Sequence, residues 1–139
     1  MSTPYLVLPH IASNQNSKEV TANNDFDELD ESINGKQTIN CAGSGNITIT
    51  NPTVPGVPLY AFLLNLIGAL TGDIDLILPA QPKVYAIANN TIGTNPSLSL
   101  PWTVYVITSA GGSVGIYVPQ GYVQMVYSDG TNVYPLALY

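Results

Sequence analysis

Apolar side chains recur along this chain with two different periods, and the change of period divides it. Within residues 21–34, TANNDFDELDESIN, the residues Ala22, Phe26, Leu29 and Ile33 follow at steps of four, three and four. Such steps line up as one stripe on a helix, so this segment is predicted to be an amphipathic α-helix. Thr21 or Asn24 can cap its start, and Gly35 is the expected stop. Acidic residues fill the other faces and the first turns, where they suit the positive end of the helix dipole. An isolated helix of this length is marginal in water, so its stripe is expected to dock on another surface.

From residue 46 onward the period becomes two and the residues become β-formers. NITIT (46–50), DIDLILP (73–79), KVYAIAN (83–89), WTVYVIT (102–108), SVGIYVP (113–119), YVQMVYS (122–128) and NVYPLALY (132–139) each read as a strand. Glycine, proline and asparagine punctuate them, in LTGD, PAQP, NNTIGTNP, AGGS, PQG and SDGTN. SDGTN between two apolar runs is a hairpin signal, since Asp-Gly favours a tight turn with positive φ. The stretch 59–70 fits either a buried strand or a short helical turn. Short strands at such regular intervals predict an all-β fold, an antiparallel β-sandwich or barrel, with a short N-terminal arm and helix.

Ahead of the helix lies PYLVLPHIAS (4–13), in which Pro4 and Pro9 exclude a helix interior and favour extended backbone. Its apolar residues Tyr5, Leu6, Val7, Leu8 and Ile11 have no partner within so short a stretch, so they are expected to pack on the body or on another subunit. Six of the nine acidic residues fall between Glu19 and Glu31, and the turn-rich NGKQTINCAGSG follows. The expected organisation is an attachment arm and helix over 1–42 and a β-body over 43–139.

Composition narrows the function. Only 9% of the 139 residues are charged, against an ordinary quarter, so the polar surface comes mainly from Asn, Thr, Ser, Gly and Tyr. A surface with so few charges to keep copies apart suits a permanent assembly. There is no arginine, and the three lysines, Lys18, Lys36 and Lys83, are scattered in a chain of net charge -6. Binding to nucleic acid phosphates or to an anionic membrane therefore has no electrostatic basis. The N-terminus lacks the basic flank and apolar run of a signal peptide, and Leu59 to Leu70 is too short for a membrane span. Synthesis as a soluble protein in a cytoplasm is expected.

Candidate chemistry is sparse. His10 is the lone histidine and Cys41 the lone cysteine, so a His-based triad, a zinc site and an internal disulfide all lack members. Cys41 is expected to be a buried, inert thiol. Asp73 and Asp75 point to one side of a strand, as a glycosidase pair does, but a solvated strand edge that discourages aggregation explains them better. AGGSVG (110–115) lies between strands and not before a helix, which argues against an anion cradle. The expectation is no enzyme, no cofactor and no metal. Nine tyrosines against two phenylalanines leave two readings open: residues favoured in sheets, or exposed rings that bind glycans or partners.

Two stretches resemble virion proteins. LPHIASNQNSKEVTANNDFDELD (8–30) is similar to the N-terminal segment LP-I-A-Q-KEVT-N-F--LD that begins many phage and gene-transfer-agent virion proteins, including fibre and head-spike components. The matching residues are Leu8, Pro9, Ile11, Ala12, Gln15, Lys18, Glu19, Val20, Thr21, Asn23, Phe26, Leu29 and Asp30. Residues 68–134 resemble a β-module of phage fibres and decoration-type proteins, through the LTG turn, the LPA strand end, NNT, the VPQG turn and SDGTNVY. The resemblance implies a structural component of a tailed-phage virion, assembled in the bacterial cytoplasm. It implies docking on other virion proteins of the capsid or tail through the N-terminal segment, and a homo-trimer. With no receptor-binding domain after Tyr139, a capsid-decorating or head-fibre-base protein is expected. The alternatives are a tail or baseplate fibre adaptor and a carbohydrate- or receptor-binding module. The residues expected to make the attachment are Tyr5, Leu6, Leu8, Ile11, Phe26, Leu29 and Ile33.

Overall fold

The computed structural model describes residues 10–49, 61–112 and 114–136. Among them is one helix, α1 (Lys18–Asn34), which begins three residues before the predicted start. Its N-cap is Ser17, in a left-handed conformation and with no side-chain capping bond, so neither Thr21 nor Asn24 caps it. Gly35 ends the helix as expected, its amide donating to the Glu31 carbonyl at 2.8 Å.

The chain then alternates between two sheets. It lays down β1 (Lys36–Asn40) in the first and β2 (Ile47–Thr48) in the second, then β3 (Leu63–Ala69) in the first and β4 (Ile74–Leu78) in the second. The long β5 (Pro82–Ile92) returns to the first sheet. A small hairpin of β6 (Thr94–Asn95) and β7 (Leu100–Pro101) intervenes before β8 (Val104–Thr108) joins the second. Each return brings the chain back to the same end. Strands that neighbour one another in a sheet are consequently parallel: β1 with β3, β3 with β5, β2 with β4 and β4 with β8. Parallel pairing needs a long crossover, and here the strand in the opposite sheet supplies it. The final strands turn back: β9 (Ile116–Val118) pairs antiparallel with β8, and β10 (Val123–Asp129) with β5 and with β11 (Val133–Pro135). The result is a five-stranded sheet, β1-β3-β5-β10-β11, and a four-stranded sheet, β2-β4-β8-β9.

The expected antiparallel sandwich or barrel is therefore corrected in two respects: both sheets are mixed, and no closed barrel forms. The mainly β character with one N-terminal helix stands. Residues 63–69 resolve the ambiguous apolar stretch as strand.

Both sheets contribute to one core. Leu64 and Leu66 of β3, Tyr85 and Ile87 of β5 and Val126 of β10 meet Ile74, Leu76 and Leu78 of β4 and Val104 and Val106 of β8. The period-two alternation carries through: in β4 and β8 every second residue is buried. Cys41 is fully buried in this core. Burial pushes its thiol up to about 11.

The corners of the coil stack as well. The Gly43 amide donates to the Ala69 carbonyl at 2.9 Å, and Leu70 donates to Ile92 at 2.7 Å. At the top of that column Gly93 has φ 128, and a Cβ there would collide with the Leu70 carbonyl, so a side chain is excluded on both counts. Pro135 falls in the edge strand β11, where a missing amide donor is tolerated and discourages further pairing.

Candidate docking surface and tyrosine face

At the start of α1, Ala12, Gln15 and Thr21 tie themselves together. The Ala12 amide donates to Gln15 Oε1 at 2.9 Å, and Gln15 Nε2 donates to Thr21 Oγ1. The Gln15 amide also donates to the Ala12 carbonyl at 3.2 Å. This knot sets the direction in which the chain enters the helix, and it was not apparent from spacing alone because it joins a loop residue to a helical one.

The helix presents its faces in an unexpected way. Its half-buried line includes Thr21, Asp25, Glu28 and Ser32, which is the apolar stripe shifted by one residue. A one-residue shift on a helix rotates the line by about 100°. Ala22 is half-buried, but the three large residues of the stripe look outward: Phe26 is 67% exposed and Ile33 59%, with Leu29 also exposed. No residue of α1 is fully buried. Meanwhile Asp25 Oδ1 is out of solvent with no hydrogen-bond partner among the described residues. Desolvation, and then the neighbouring charge of Asp25, raise the Glu28 carboxyl above its ordinary value. The helix thus turns desolvated carboxylates inward and hydrocarbon outward, a local conflict with the usual burial preference.

Of the predicted attachment residues, Phe26, Leu29 and Ile33 share this outward line, and Ile11 is exposed ahead of the helix. Tyr5, Leu6 and Leu8 lie outside the described residues.

A second exposed apolar area lies on the outer side of the five-stranded sheet. Val123, Met125 and Tyr127 of β10 point away from the core, with Tyr134 of β11 opposite Tyr127. Leu136 joins them, its amide donating to the Met125 carbonyl at 2.9 Å. On the opposite side of β10, Val126 and Ser128 are buried. The alternating sequence of this strand does not by itself say which set faces water, since both sets contain apolar residues.

Of the six described tyrosines, only Tyr85 is buried. Tyr105 and Tyr117 sit opposite each other on β8 and β9, ring centroids 4.5 Å apart and planes at 38°. Asp75 is the register partner of Tyr105 on β4. Its amide donates to Asn46 Oδ1 at 2.8 Å, and Asn46 Nδ2 donates back to Asp75 Oδ2 at 3.3 Å. Asp73 binds elsewhere: its Oδ1 accepts from the Thr103 amide and hydroxyl, both at 2.8 Å. The reading of these aspartates as a solvated strand edge is corrected, because β4 lies between β2 and β8 and each carboxylate fastens a neighbouring turn of the coil.

His10 is exposed at the start of the described chain, whereas Cys41 lies in the core, so the two do not form a nucleophile–base pair. Among the described residues no cluster of His, Cys, Asp and Glu is placed to hold a metal ion, and no helix is long and apolar enough to cross a membrane.

Comparison of the chain with known protein families, with curated proteins and with solved structures finds no match.

Proposed function

We propose that this chain is a non-enzymatic structural component of a tailed-phage virion, a capsid-decorating or head-fibre-base protein that docks through its N-terminal segment. The observation that carries the reading is the outward stripe of α1. Phe26, Leu29 and Ile33 face water on a helix that precedes a well-packed β-body. Covering each large apolar side chain contributes roughly 1.5–3 kcal/mol in full burial, so a groove on a partner is a strong attractor for this line. The acidic residues beside the stripe keep it soluble before assembly and steer it toward a basic patch. Phe26 and Leu29 also fall within the stretch that resembles virion attachment segments. The outer apolar side of the five-stranded sheet supplies contact area between copies, in keeping with a homo-trimer. Burial of Cys41 and the remoteness of His10 favour a role without catalysis. A tail or baseplate adaptor is the close variant, differing only in the partner that receives the helix.

The test is a deletion of residues 1–35 in the phage or gene-transfer agent that encodes the chain. Because β1 begins at Lys36, the body keeps its whole first sheet. The shortened protein is expected to fold and to be missing from purified particles, while the full chain gives density on the head. Density on the tail would select the adaptor, and normal incorporation of the shortened protein would remove the attachment role.

A further inference from the structure

We infer that the outer side of the four-stranded sheet binds a neutral oligosaccharide, along the row Asn46, Asp75, Tyr105 and Tyr117. The inference does not rest on the virion role, since it concerns a different face of the body from the docking helix.

The row follows from strand register. Asp75 is opposite Tyr105 and Tyr105 is opposite Tyr117, while Asn46 is joined to Asp75 by two hydrogen bonds. Three strand spacings carry it about 14 Å across the sheet, so an extended ligand can lie over it. All four side chains occupy the outer face, since Ile74, Leu76, Val104, Val106 and Val118 take the inner one.

The two rings are held in place before any ligand arrives. Tyr105 lies across Gly115: a Cβ on that glycine would stand 2.8 Å from Tyr105 Cζ and 2.5 Å from the Val106 carbonyl oxygen. Glycine at this position therefore lets the ring lie down on the strand, and Tyr117 leans on it from the next strand. Tyr117 remains 65% exposed, which leaves one ring face open. Fixed aromatic rings offer contact area at small entropic cost, and the C–H faces of a sugar ring are a fitting apolar partner. The other half of the row provides hydrogen bonding. Among the described residues, Asp75 Oδ1 and the Tyr105 and Tyr117 hydroxyls have no protein partner, and Asn46 holds the Asp75 carboxylate in position. An acceptor carboxylate beside an open aromatic face is the arrangement that a ring of hydroxyls on a C–H skeleton satisfies.

Charge decides between sugar classes. The three lysines lie on α1, β1 and β5, so none belongs to this sheet, whereas Asp75 faces outward on it and Asp73 is exposed immediately before β4. An anionic sugar would meet like charge with nothing to neutralise it. A neutral one meets an acceptor carboxylate, hydroxyls and rings.

The experiment is a glycan array of neutral and sialylated oligosaccharides probed with the full chain, followed by titration of the retained neutral glycans against variants. Retention of neutral members is expected, with roughly tenfold weaker binding for Tyr117→Ala and for Asp75→Ala. Tyr117→Trp keeps an aromatic face and is expected to bind, which separates loss of the site from loss of the fold. Tyr127→Ala, on the other sheet, is expected to match the unmodified chain. An array with no neutral glycan retained, retention of sialylated members alone, or unchanged binding by Tyr117→Ala would each overturn the inference.

Discussion

Lys83, at the start of β5, donates its ammonium to the main-chain carbonyl of Ser32 in the last turn of α1, at 3.2 Å. The same ammonium lies 4.9 Å from the centre of the Tyr85 ring. A cation at the C-terminal end of a helix satisfies a carbonyl that has no partner within the helix and complements the dipole. This one side chain thus joins α1 to the core of the body.

The position is costly for a charge, because burial pushes Lys83 down to about 8 from its ordinary 10.5. The unfolded chain then holds a proton that the folded chain has released between those two values. Stability contributed by this group rises with pH across that window, is complete above the upper value, and is lost as pH falls to the lower one. Urea unfolding at about pH 7.5 and about pH 9.5 should show the unmodified chain gaining stability relative to Lys83→Met, with tyrosine ionisation common to both. Parallel behaviour of the two proteins would contradict the assignment. Lys83→Met should also release the helix terminus, read as faster amide exchange in residues 31–34 with the β-strands unchanged.

Asn89 is fully buried and joins β5 to the last residue of β9. Its Nδ2 donates to the Val118 carbonyl at 2.6 Å, and its Oδ1 accepts from the Thr91 amide at 3.1 Å and the Thr91 hydroxyl at 2.6 Å. Asn89→Leu retains the bulk and strands those partners in the interior, each at about 1–3 kcal/mol. A guanidinium titration should show a clear fall in midpoint, and an unchanged midpoint would mean that water replaces the amide.

Burial predicts opposite outcomes for two sets of apolar residues. Leu76→Ala opens a cavity between the sheets and should cost about 2–5 kcal/mol of stability. Phe26→Ser, Leu29→Ser and Ile33→Ser alter an exposed line and should each change the unfolding of the body by less than about 0.5 kcal/mol. Combined, the three serines should nevertheless keep the chain out of particles. A large loss of stability in the triple variant would show instead that the stripe packs on its own body.

Much of the secondary structure was legible because the side-chain period reports the local backbone directly. Ala22, Phe26, Leu29 and Ile33 marked the helix, and the alternation in DIDLILP and WTVYVIT marked both the strands and their buried residues. The hairpin at SDGTN was also readable: Asp129 Oδ1 accepts from the Thr131 and Asn132 amides at 2.8 and 2.7 Å, and Gly130 adopts φ 97. The start of α1 was less so, since the apolar stripe begins only at Ala22, and Ser17, although of a type favoured at N-caps, makes no side-chain cap.

What the sequence by itself determined about this protein is the set of its elements: one acidic amphipathic helix, then short strands whose inward residues fill a core. What only the tertiary structure decided is how those elements meet. Period-two alternation is the same in a parallel and an antiparallel strand, so nothing local distinguishes β3 against β5 from a hairpin. The crossing of each connection to the opposite sheet imposes the parallel order. The site shares this origin. Asn46, Asp75, Tyr105 and Tyr117 are far apart along the chain and become one row only through register, which is set by the packing of the whole core. The outward turn of Phe26, Leu29 and Ile33 is likewise a tertiary fact, because a stripe records that a helix has an apolar side but not the surface that will cover it.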